Sequence, residues 1–88
     1  MKYTILFSKS VKKFLSKMDK PFRENCYKCI EIISENPFEN NLDIKPLTNI
    51  PNSFRLRLGK FRILYEIDRN QILIFFFKAD SRGDVYKK

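Results

Sequence analysis

Histidine is absent from the 88 residues of this chain, and so is tryptophan. Without histidine, the chain lacks the side chain that most readily moves protons near neutral pH and the commonest metal ligand. Cys26 and Cys29 are then left without ready partners for a zinc site, which normally takes four ligands. They also fall mid-segment on a predicted helix, whereas a redox-active pair needs a helix N-terminus after a strand. We read them as small buried apolar residues. No metal or cofactor is expected. Long apolar runs are lacking too. The run from Tyr3 to Phe7 is too short for a signal-peptide core or a membrane span. The expectation is a cytoplasmic protein, and free thiols fit a reducing compartment. There are no internal repeats and no low-complexity segments.

What is present suffices for one modest core. We read residues 1–88 as a single domain, with 43% hydrophobic residues, nine Phe and four Tyr. The net charge is +8 and the pI is about 9.7. Residues 1–44 hold eight Lys/Arg and six Asp/Glu, a net of +2; residues 45–88 hold ten and four, a net of +6. The C-terminal half therefore favours polyanionic partners, although basic surfaces also occur without a partner.

Tyr3 to Phe7 is β-branched and aromatic and reads as a strand. Ser8 is placed to cap a helix, in which Val11, Phe14, Leu15 and Met18 form one apolar stripe. Lys9, Lys12, Lys13 and Lys17 occupy the rest of that wheel, a solvated face or a contact surface. Asp19 and Pro21 open a second helix, striped by Phe22, Cys26, Cys29, Ile30 and Ile33 and ended by Asn36-Pro37. So short a link implies a helical hairpin. Residues 38–52 read as an irregular connection with four asparagines, anchored by Leu42, Ile44, Leu47 and Ile50.

Period two then replaces the helical period. Phe54, Leu56 and Leu58 share one parity, and Arg55 and Arg57 the other. After Gly59-Lys60, Phe61, Ile63, Tyr65 and Ile67 alternate with Arg62, Leu64, Glu66 and Asp68. A two-residue loop with Gly first suits a type II′ hairpin. Ile72 to Phe77 is apolar on both parities, as in an inner strand. The predicted fold is α+β, in the order β-α-α-β-β-β. It has a mainly antiparallel four-stranded sheet with the helical hairpin on one face.

The tight turn sets a register: Leu58 with Phe61, Arg57 with Arg62, Leu56 with Ile63, Arg55 with Leu64. Arg57 and Arg62 become cross-strand neighbours, with Arg55 diagonal to Arg62. Opposed like charges cost roughly a few tenths to 1 kcal/mol. The nearest acid of that parity is Glu66, two pairs from Arg57. Three guanidiniums with little acidic compensation point to an anion site, and Arg binds phosphate bidentately. If Arg69-Asn70 is also a two-residue loop, Leu64 pairs with Phe75 and Arg62 with Phe77. The two phenylalanines then either stack on bases of single-stranded nucleic acid or pack beneath the C-terminal tail.

The stretch Phe54-Arg55-Leu56-Arg57-Leu58-Gly59-Lys60-Phe61-Arg62-Ile63-Leu64-Tyr65-Glu66-Ile67 resembles the core motif of the RelE/ParE toxin superfamily. Asn36-Pro37, Lys45-Pro46-Leu47 and Arg82-Gly83-Asp84-Val85-Tyr86 extend the resemblance over nearly the whole chain, and the RelE branch is the better fit. The resemblance implies the same β-α-α-β-β-β order. It also implies a metal-independent endoribonuclease that cuts mRNA in the ribosomal A site, and a heteromeric complex with an acidic, helical RelB-like antitoxin. Arg57, Arg62, Arg82 and Tyr86 match catalytic positions; Arg55 matches a substrate-binding one, and Lys45, Lys60, Phe75 and Phe77 would join it. Two departures stand out. Ser81 occupies a position that is His in many relatives, and Arg55 and Arg57 replace lysines. Arginine stays protonated, so neither is a general base. Attack by the RNA's own 2′-hydroxyl needs no protein nucleophile. Two other expectations remain open: a ParE-like toxin that binds DNA gyrase, and a basic RNA-binding module without activity.

Overall fold

A computed structural model of the chain describes residues 2–81. The elements are β1 (Thr4–Phe7), α1 (Lys9–Ser16), α2 (Lys20–Glu35), β2 (Ile44–Pro46), β3 (Ser53–Leu58), β4 (Phe61–Asp68) and β5 (Leu73–Ser81). Both predicted caps form. The Ser8 side chain accepts from the Val11 amide at 3.1 Å, and Asp19 accepts from the Phe22 amide at 2.9 Å. Each satisfies an amide that the first turn of a helix leaves unpaired. Arg23 ties the two helices together, donating from Nη1 to the Met18 carbonyl at 2.8 Å.

The sheet runs β1-β5-β4-β3-β2, with β1 parallel to β5 and every other pair antiparallel. Among the described residues it has five strands, not four. The added strand, Ile44–Pro46, lies inside the stretch expected to be an irregular connection. It sits at the edge of the sheet, the position where a proline in a strand is tolerated. Within the same stretch Leu42 and Ile44 do anchor against the core, whereas Ile50 is exposed.

Helices α1 and α2 bury Val11, Leu15, Cys26, Cys29, Ile30 and Ile33 against Leu56, Ile63, Tyr65, Ile67, Ile74 and Phe76 of the sheet. At one end Phe61 packs edge-on to Phe14 and Phe22, with ring centroids 5.3 and 5.0 Å away. One face of the sheet is thus covered by the helices. The residues of opposite parity form the other face, which carries the arginines.

Candidate nucleic-acid interface

The hairpin at Gly59 has the register read from its loop: Leu58 pairs with Phe61, Arg57 with Arg62, Leu56 with Ile63 and Arg55 with Leu64. Gly59 has φ +57°, the left-handed backbone that the first position of this turn needs. Arg55, Arg57 and Arg62 therefore share a face. Lys45 of β2 joins it opposite Arg55, and Lys78 of β5 lies opposite Leu64.

The β4–β5 register differs from the expected one. Arg62 faces Asp80, not Phe77, and Leu64 faces Lys78, not Phe75. Two local features move the strand. The turn spans residues 69–72, because the Asp68 side chain accepts from the Gln71 amide at 3.0 Å and from its side-chain nitrogen at 3.2 Å. A bulge between Leu64 and Tyr65 then adds one more residue to β5. Phe75 and Phe77 remain together, ring centroids 6.4 Å apart. Phe75 lies between Glu66 and Leu6 in register, displaced along the sheet from the arginines.

The acid that strand parity did not reveal comes from the connection before β2. Asp43 Oδ1 accepts from Arg55 Nη2 at 2.9 Å, and its Oδ2 accepts from Arg57 Nε at 2.8 Å. The Arg57 amide also donates to the Asp43 carbonyl at 2.9 Å. The expectation of little acidic compensation is therefore corrected. Across the strands the order is Asp43, Arg57, Arg62, Asp80: two opposed arginines bracketed by carboxylates. The Arg57 hydrogen bond, followed by the charges of Arg57, Arg55 and Lys45, holds the Asp43 carboxyl below its ordinary value of 3.8.

The three arginines are not equivalent. Arg55 and Arg62 are buried, 6% and 7% exposed. The Arg55 Nε is buried without a hydrogen-bond partner among the described residues. The Arg57 side chain is 41% exposed, and among the described residues it is engaged only through Nε, which leaves its two Nη groups without a partner there. Lys60 is not drawn to this row. Its Nζ lies 5.7 Å from the Phe61 ring centroid, beside a concavity of about 450 Å³ lined by Lys17, Met18, Asp19 and Phe22. Arg82 and Tyr86 lie outside the described residues.

Neither cysteine belongs to this face. Cys26 and Cys29 are free and buried, and burial pushes the Cys26 thiol up to about 12. Among the described residues no three His, Cys, Asp or Glu side chains are grouped to share a metal ion. No helix among them is long and apolar enough to cross a membrane.

The family model for the ParE toxin of the type II toxin–antitoxin system parDE matches residues 5–86. The chain belongs to that family. It is a toxin of the RelE/ParE superfamily, similar over its length to a Methanocaldococcus jannaschii protein named Putative toxin RelE1. The two are 30% identical over 99% of this chain and 98% of the relative. Among solved structures, the toxin fold is like that in an archaeal RelE–RelB complex from Pyrococcus horikoshii. The TM-score is 0.82 at 24% identity, covering 94% of this chain and 98% of that one. It is also like a RelB–RelE complex from Methanococcus jannaschii. There the TM-score is 0.76 at 27% identity, covering 92% and 94%.

Proposed function

We propose that this toxin is a RelE-like endoribonuclease that cuts mRNA on the ribosome, with the arginine face as the phosphate site. The observation that carries the reading is the opposed pair Arg57–Arg62 on the sheet face away from the helices, with the Nη groups of Arg57 unpartnered among the described residues. Opposed guanidiniums weaken a sheet, and a phosphodiester between them relieves their repulsion while meeting a bidentate donor. The likeness to proteins named RelE supports this target.

In this reaction the 2′-oxygen of one nucleotide attacks the adjacent phosphorus. The P–O2′ bond forms as the P–O5′ bond breaks, the 2′-hydroxyl gives up its proton and the departing 5′-oxygen gains one. The products are a 2′,3′-cyclic phosphate and a 5′-hydroxyl. Arg57, Arg62 and Arg82 stabilise the charge that develops on the phosphoryl oxygens, and Arg55 orients the backbone. One such donor contributes roughly 3 kcal/mol in comparable sites. Tyr86 relays a proton or stacks on a base. Lys45 and Lys78 extend the positive strip, and Phe75 and Phe77 offer rings to bases further along the sheet. Positioning by the ribosome supplies much of the remaining rate.

The solved relatives were captured with RelB antitoxins, and a chain with a net charge of +8 suits an acidic, helical partner of that kind. An mRNA target on the ribosome places the toxin in the cytoplasm. The family model, described as ParE, favours a second reading in which the toxin binds DNA gyrase without cutting RNA. A primer-extension assay of mRNA on programmed ribosomes, run beside a gyrase supercoiling assay, separates the two. The first reading expects cuts and unaffected supercoiling; intact mRNA with inhibited gyrase overturns it.

A further inference from the structure

Asp43 divides one carboxylate between two arginines, with Oδ1 to Arg55 and Oδ2 to Arg57. Its own backbone is fixed to the same strand by the Arg57 amide. An unrestrained Arg57 would turn away from Arg62 opposite it and Arg55 beside it. Held at Nε, the guanidinium keeps one orientation, and its Nη groups make no hydrogen bond among the described residues. Arginine has a long side chain with much rotamer entropy, and part of that is lost before an anion arrives. The same carboxylate cancels one positive charge, which weakens raw attraction to RNA. It serves geometry at the expense of affinity.

Building on the phosphate-site reading above, we propose that Asp43 is a positioning residue. It fixes Arg57 through Nε so that the Nη groups meet the substrate phosphate, and it lowers the face's charge by one.

Asp43→Asn keeps the shape and removes the charge. The mutant should bind oligouridylate RNA more tightly at low salt. The slope of log affinity against log salt should steepen by about 0.7, one further phosphate contact on a single strand. Its single-turnover cleavage on programmed ribosomes should fall on the order of tenfold to a hundredfold at saturating substrate. Asp43→Glu, which keeps the charge, should restore part of that rate. Arginine side-chain NMR supplies an arm independent of RNA. In the wild type the Arg57 Nε–H should exchange more slowly than that of Arg69, which rests on the Phe38 ring at 4.3 Å. In Asp43→Asn that protection should be lost. Unchanged RNA affinity and slope in Asp43→Asn overturn the proposal. So does unchanged cleavage, or equal exchange at Arg57 and Arg69 in the wild type. If the wild type cuts no RNA, the enzymatic reading fails, while the NMR and binding arms still decide the role of Asp43.

Discussion

Arg57 and Arg62 stand opposite each other across β3 and β4. The pair is held by its surroundings, not by mutual attraction. Asp43 lies beyond Arg57, and Asp80 is the register partner of Arg62. The Asp43 carboxylate, paired with both Arg55 and Arg57, offsets part of the repulsion within the sheet, and the Nη groups of Arg57 have no partner among the described residues.

The register that makes this pair depends on the turn at Gly59. A Cβ there meets nothing within 4 Å, so the cost of a side chain is purely that of a positive φ. Gly59→Ala should lower stability by roughly 1 kcal/mol, measured by urea unfolding, without moving Arg57 from Arg62. A loss of several kcal/mol contradicts this account of the turn.

Asp43 should make the fold acid-sensitive in a defined window. Its folded-state carboxyl lies below the ordinary 3.8 because Arg57, then Arg55 and Lys45, favour the charged form. The stabilisation is complete above the ordinary value and is lost as pH falls through the folded value. Thermal unfolding followed by circular dichroism should therefore show the wild type losing more Tm below about pH 4 than Asp43→Asn does. Parallel acid profiles contradict the ion-pair account.

Tyr65 illustrates a core residue that carries an unused polar group. Its hydroxyl is buried with no hydrogen-bond partner among the described residues, and burial raises its pKa well above that of a free phenol. The ring does the packing, with centroids 4.9 Å from Phe76 and 5.7 Å from Phe54. Tyr65→Phe should keep those contacts and leave stability equal, or higher by up to about 1 kcal/mol. A clear drop in Tm contradicts this.

The sequence discloses the parts of the fold that local rules govern. Ser8 and Asp19 cap their helices as their side chains dictate. The two-residue loop at Gly59 fixes the β3–β4 register, and parity separates Leu56, Ile63 and Tyr65 from the arginines. What remained hidden depends on contacts without a local pattern. Strand β2 contains Lys45 and Pro46 and forms only because β3 offers its edge. Strand β5 is apolar on both parities at its start, so nothing in its side chains specified a register. The Asp68 turn and the bulge then decided it. Asp43 lies well before the arginines in the chain. Its carboxylate reaches them only once β2 has paired, which is why counting parity within the hairpin finds only Glu66.

The action of Arg57 and Arg62 on an RNA phosphate decides the proposed function. It is tested most directly by mapping cuts in mRNA on programmed ribosomes with wild type, Arg57→Ala and Arg62→Ala, each confirmed folded by circular dichroism. The wild type should cut, and each mutant should lose about a hundredfold or more in single-turnover rate. Cutting by both mutants at the wild-type rate would contradict it.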